Sequence, residues 1–209
     1  MGLEMRYQAV PSTWRWLQRK PLVYETESAF AFLVPQVAQQ SAPRALQSSR
    51  HDSPDHTEVD FARELLHLIR VHPGLEQRNL YIGERWDMLY YLLSPTRHAS
   101  SNQNYTDWVA RVLLGGDELQ GLVSSEGIAV YYLPPDEVQT SAFLLGQVTQ
   151  ERLSEHFDPQ RMIAAGVYGS LSLIGRHVSF ASLWQSFQQL HFLFKDVAAH
   201  REGIVAYAC

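Results

Sequence analysis

The 209-residue sequence predicts a single α+β domain, with several helices packed on a small, mostly antiparallel sheet that has strands near both termini. Hydrophobic residues make up 45% of the chain, and 9 Phe, 10 Tyr and 5 Trp supply the surface of a continuous core. Apolar residues recur at helical spacing over 58–72, 84–93 and 179–200. Short apolar runs open and close the chain, at 3–10 and 204–208. Strands at the two ends with long helices between them do not make a regular βαβ repeat, so the class is α+β. A chain of this length buries roughly 70% of its unfolded surface, so its stability requires neither a metal nor a disulfide.

The elements follow in order. After the opening strand, Pro11-Ser12 offers a helix start for a stretch carrying Trp14, Trp16 and Leu17, which Lys20-Pro21 stops. A second helix is expected over 24–34. Residues 36–57 are polar and broken by Pro43 and Pro54, which predicts a surface excursion from the domain spanning 1–209. In 58–72, Val59, Ala62, Leu65, Leu66 and Ile69 share one helical stripe that Pro73-Gly74 ends. A brief extended piece over 80–83 precedes a helix over 84–93, where Trp86, Leu89, Tyr90 and Leu93 fall at i, i+3, i+4 and i+7. The polar stretch 97–104 reads as a loop. Residues 108–114 then read as a strand entering the turn Gly115-Gly116-Asp117, and 127–133 as a strand covered on both faces. Helices are expected over 136–147, over 149–157, and after Asp158-Pro159, where Asp caps and Pro supplies helical φ at no cost in hydrogen bonds. The clearest helix is 179–200, with Ser179 as its cap and Gly203 as its stop.

Charge and cysteine usage narrow the function classes. The 17 basic and 22 acidic residues give a net charge of −5, which repels phosphate, and the arginines are scattered singly from Arg6 to Arg201, so nucleic-acid binding is disfavoured. With Cys209 as its one cysteine the chain forms no internal disulfide or cysteine metal cluster, which suits a reducing cytoplasm. The N-terminus lacks the basic and apolar regions of a secretory signal, and no apolar run approaches the roughly 18 residues that span a bilayer. The expectation is a cytoplasmic bacterial protein away from the membrane. Charging all nine histidines would move the net charge from −5 to +4, an acid-stability liability.

The order of these pieces resembles a known family. Residues 80–93 around Trp86, Leu113-Leu114-Gly115-Gly116-Asp117-Glu118, and the run from Gly127-Ile128-Ala129 through Tyr131-Tyr132-Leu133-Pro134-Pro135 to Val138 are similar to the YfbM-like family of domains of unknown function (number 1877). So are Phe157-Asp158-Pro159 before Met162, Gly166-Val167-Tyr168, the aromatic helix from Phe180, and Gly203-Ile204-Val205-Ala206-Tyr207; together they cover about the last 130 residues. The resemblance implies an α+β fold and no agreed activity. Where the family tends to have Lys two residues before the Trp and His just after it, this chain has Glu84 and Asp87. Where the family has Pro after the Tyr, this chain has Gly169, and its polar stretch over 36–57 is longer.

Candidate chemistry is sparse. His51-Asp52-Ser53-Pro54-Asp55-His56 carries suitable ligands for a divalent metal, but a loop with nothing to preorganise it reads as solvated. Glu64 and His67 have the Glu-x-x-His spacing of di-iron bundles without the second pair such a site needs, so they read as surface polar residues. Gly115-Gly116-Asp117 lacks the features of a phosphate loop. No Gly-x-Ser-x-Gly elbow is present, and Cys209 is terminal. Metal and cofactor are therefore expected to be absent.

The best-supported site position is the helix of Trp86. Asp87 and Tyr91, at i and i+4, are displaced from the apolar stripe, which would present a carboxylate and a phenol at the mouth of a cleft beside Trp86 and Tyr90. The alternative is a half-buried Tyr91 and an ordinary exposed Asp87. Tyr131 and Tyr132 alternate across a strand, so at least one serves the fold. The expected function is a non-catalytic domain that binds a protein partner, with modulation or neutralisation of that partner as a sharper version. The competing reading is a small-molecule binder or hydrolase-type enzyme with its cleft at Trp86, Asp87 and Tyr91. The oligomeric state is not legible.

Overall fold

The computed structural model describes residues 4–14, 17, 59–94, 108–173 and 178–209. Within them, six strands form one sheet in the order β2 (Val59–Asp60), β4 (Asp117–Val123), β5 (Ala129–Leu133), β6 (Gly203–Ala208), β1 (Met5–Val10) and β3 (Asn79–Gly83). Every neighbouring pair is antiparallel except the two-residue parallel contact of β2 with β4. The two terminal strands are each other's partners, running from Met5 opposite Ala208 to Val10 opposite Gly203. Beyond them the backbones of Glu4 and Cys209 exchange hydrogen bonds of 3.3 and 3.0 Å, which extends the pairing of β1 with β6 by one residue. A strand in that position is covered on both faces, which explains the unbroken apolar run Ile204-Val205-Ala206.

Alternation divides the sheet. Tyr7, Ala206 and Tyr131 stand in register across β1, β6 and β5 and point to one face. There the Tyr7 hydroxyl donates to the carbonyl of Leu113 at 2.7 Å, on the helix α3 (Trp108–Leu114). Burial pushes the Tyr7 hydroxyl far up in pKa, so it stays protonated and remains the donor. The helices α2 (Arg85–Leu93), α4 (Pro135–Gly146) and α7 (Phe180–Ala199) pack with α3 in this layer. The opposite face carries Tyr207, whose ring meets Phe61 of α1 (Phe61–Val71) edge-on at 4.7 Å, with Trp14 against Phe61 at 6.2 Å. On that face the buried Gln8 donates to the carbonyls of Leu75 and Arg78 at 2.9 and 3.3 Å, which ties the 3₁₀ turn Pro73–Gln77 to the sheet.

Several sequence expectations meet corrections here. Residues 108–114 are a helix, not a strand. A seven-residue run with six apolar residues around Arg111 suits either state, and the backbone is decided by Val109, Val112, Leu113 and Leu114, all buried, together with Gly115, which ends the helix at φ +97 by donating to the carbonyl of Arg111. Gly115-Gly116 is thus a helix end, and a close approach as well: a Cβ on Gly116 would strike the backbone carbonyl of Tyr132. The strand β4 is a further element that the patterning of its polar sequence does not reveal. In α1 the buried residues are Phe61, Glu64 and Leu68, while Leu66 is 62% exposed, so the stripe is rotated from the expected one and Glu64 faces inward while His67 stays exposed.

The helices α4, α5 (Gln150–Glu155) and α6 (Pro159–Ala164) follow one another as expected, with Asp158 accepting from the backbone N–H groups of Gln160 and Arg161. Ser179 caps α7 and forms a reciprocal capping box with Ser182. The chain leaves α7 through Arg201 at φ +55, not through Gly203. Gly203 instead opens β6, where a Cβ would collide with the ring of Tyr132. The expected helix over 24–34, the excursion over 36–57, the His51–His56 cluster and the loop over 97–104 lie outside the described residues. The helix expected from Pro11-Ser12 lies partly outside them too; there Trp14 donates to the carbonyl of Pro11 and Leu17 to that of Trp14.

Candidate functional site

The helix α2 is enclosed on nearly every side. Every residue from Trp86 to Leu92 is buried, because α3, α5, α7 and β3 all pack against it. A short helix that is apolar almost all round belongs inside a domain, and this one does. Asp87 is therefore neither at the rim of a cleft nor an ordinary exposed acid: it is 3% exposed. Its Oδ2 accepts the backbone N–H of Tyr168 at 2.7 Å. The Tyr168 ring stacks on Trp86 at 6.4 Å, and its hydroxyl donates to Oε1 of Glu84 at 3.4 Å.

The segment that delivers Tyr168 is shaped by Gly166 and Gly169, at φ +70 and +73. A proline fixed near φ −65° does not fit that conformation at Gly169. A Cβ on Gly169 would lie 3.3 Å from both Cβ and the carbonyl oxygen of Glu84. Glu84, Asp87 and Gly169 thus converge on one contact, with Tyr168 and its loop. Sequence reasoning did not find Tyr168 as their partner, although two glycines bracketing Val167-Tyr168 signal a turn that could present a backbone donor.

The remaining candidates are distributed. Tyr90 is 1% exposed and Tyr91 is 9% exposed on α2. Tyr131 is buried where a Cβ on Gly115 would meet its own Cβ, while Tyr132 projects to the other face, over Gly203. Burial first, and the charge of Asp136 second, push the Tyr132 hydroxyl up to about 12, so it is a neutral phenol at physiological pH. Trp86, Asp87, Tyr90 and Tyr91 share one helix, but Tyr131 and Tyr132 leave β5 in opposite directions.

Elsewhere, Arg111 of α3 grips Glu137 of α4 through two hydrogen bonds of 2.6 and 2.8 Å and reaches Asp117 of β4 at 3.4 Å, a bidentate tie between three elements. Arg78 and Glu202 form a second, largely buried pair at 2.9 Å. Among the described residues no group of three or more His, Cys, Asp or Glu is placed to hold a metal, and no helix is long and apolar enough to cross a membrane.

Two features lay outside the sequence reading. At the C-terminal end of α2 is a cavity of ≈ 160 Å³. On the outside of the helical layer, Phe143 of α4 is 66% exposed and Phe192 of α7 is 72% exposed. Each lies two residues from buried positions, Ser141 and Leu145 or Leu190 and Phe194, which at about 100° per residue turns it roughly 160° from the core.

The family model for the domain of unknown function DUF1877 matches residues 41–207, well over half of the chain. The chain belongs to the DUF1877 family. The match begins further upstream than the motifs from residue 80 onward indicate, inside the stretch read as an excursion. Among solved structures, the DUF1877 chain is similar to a protein of unknown function, YfbM from Escherichia coli, at 16% identity and a TM-score of 0.51, with 97% of each chain covered. At that identity the likeness shows the α+β fold alone. No curated protein matches this chain.

Proposed function

We propose that this DUF1877 domain is a non-catalytic binding protein whose partner is another protein, and that it modulates or neutralises that partner. The carrying observation is the pair of phenylalanines on the outer surface of α4 and α7, two helices packed against each other across a long shared seam. Large aromatic side chains are enriched at interfaces because they bury much area at a small entropic cost. Covering the exposed two-thirds of Phe143 and Phe192 is worth about 1–2 kcal/mol of transfer free energy each, which a partner recovers. The net charge of −5 favours a partner with a basic rim.

The polar groups beside Trp86 support the same reading, since Asp87 and Glu84 are engaged with Tyr168 and hold a loop against a helix. The test is capture from cells of the source organism on immobilised protein, followed by reconstitution with the purified partner. The expected result is a defined complex that weakens at least tenfold, by roughly 1.4 kcal/mol or more, in Phe143→Ala/Phe192→Ala. A complex unaffected by that double substitution refutes the assignment of the surface. A turnover that disappears in Asp87→Asn, with no protein partner recovered, refutes the non-catalytic reading.

A further inference from the structure

The cavity at the end of α2 has a composition of its own, independent of the partner surface. Its walls are Leu92 and Leu93 from the last turn of α2, Val148 from the link between α4 and α5, and Leu153 of α5, with the indole of Trp108 at the start of α3 as an aromatic side. Leu92 and Leu153 are fully buried, so the floor is dry. Gln147 and Arg152 are exposed and line the cavity too, so the opening is polar and carries one cation. Among the described residues no ion pair or hydrogen bond engages the Arg152 guanidinium; only its backbone N–H is used, donating to the cap Thr149 at 3.3 Å.

We infer that this cavity is a binding site for a small aromatic monocarboxylate, with the ring between Trp108 and the leucines and the carboxylate on Arg152. Size sets the body of the guest: an apolar cavity of about 150 Å³ holds a benzene ring, and this one measures ≈ 160 Å³. Sign sets the head group. Two helices, α2 and α4, end at the cavity, and helix ends carry about half a negative charge each. Carbonyls in their last turns are engaged, Tyr90 by the backbone of Ser94 at 2.9 Å, Leu92 by the imidazole Nδ1 of His156 at 2.9 Å and Leu144 by the backbone of Gln147 at 3.1 Å. Among the described residues that line the mouth, the positive charge belongs to Arg152, whose planar fork matches a carboxylate in a bidentate pair. A neutral ring alone would leave that cation unused, and a cationic guest would face it.

Ligand-observed NMR titration with phenylacetate and with its neutral isostere phenylacetamide tests the assignment. Phenylacetate is expected to bind, and phenylacetamide to bind at least tenfold more weakly. Arg152→Gln, at an exposed position, is expected to keep the melting temperature and bring phenylacetate down to the level of the amide. Leu144 of α4 lines the cavity as well, and Leu144→Trp, which fills it, is expected to remove both signals. Failure of phenylacetate to bind, equal binding of acid and amide, or full acid affinity in Arg152→Gln would each overturn the site. None of these readouts depends on a protein partner, so the proposed interaction surface stands or falls separately.

Discussion

Replacing Asp87 with alanine removes the acceptor for the Tyr168 N–H and leaves that donor without its carboxylate in a partly buried place. A hydrogen bond to a charged group contributes about 1.5–3 kcal/mol, and the small void left by the lost carboxylate adds to it, for a total of about 2–4 kcal/mol. In a domain of this size each kcal/mol lowers the melting temperature by about 2–4 °C, so the fall is roughly 5–15 °C. Asp87→Asn keeps an oxygen that can accept the same N–H and loses only the charge assistance, so its cost is about 1 kcal/mol. Thermal and urea denaturation measure both, and amide exchange at Tyr168 reports the contact itself, faster in the alanine variant than in the asparagine one. An alanine variant within about 1 °C of the parent, or an asparagine variant as costly as alanine, refutes the account of Asp87 as a structural tie.

Three further outcomes follow from the packing. Gly116→Ala drives a methyl into the immovable carbonyl of Tyr132 and is expected to cost about 1–3 kcal/mol or more, whereas Gly127→Ala, at φ +71 with open space around it, costs only the backbone strain of about 1–2 kcal/mol; chemical denaturation compares them. Gly169→Pro cannot reach φ +73 and is expected to free the Tyr168 loop, seen as loss of near-ultraviolet circular dichroism from the Trp86–Tyr168 stack. Burial first, and the charge of Lys195 second, lower the His191 imidazole below its usual value. The unfolded chain then binds more protons than the folded one in the window below about pH 6.5, so stability falls as pH drops through it, and His191→Gln flattens that part of the stability–pH curve.

The elements that were legible in the sequence are those in which several local signals agree. In α7 a capping serine and five turns of apolar stripe point to one helix, and β6 shows a closing apolar run that only a strand covered on both sides needs. Residues 108–114 fail that test, because a short run of six apolar residues around Arg111 satisfies both periods and the deciding contacts come from Tyr7, about a hundred positions away in sequence. The strand β4 is polar because it lies toward an edge of the sheet, paired on one side with β5 and over two residues with β2, so its sequence lacks a strand's apolar signature. The candidate site is illegible for a related reason. Asp87 looks like the polar face of an amphipathic helix, and its burial is set by Tyr168, 81 residues further on. Phe143 and Phe192 break their helical patterns openly, and an aromatic opposite the core stripe is a signal legible in the sequence.

Hydrogen exchange of this DUF1877 domain, alone and with its reconstituted protein partner, tests the central claim most directly. The account predicts new protection in α4 and α7 around Phe143 and Phe192, with exchange at Asp87, Tyr90 and Tyr168 unchanged. Protection confined to α2 and to Tyr131-Tyr132, with none around the two phenylalanines, would contradict it.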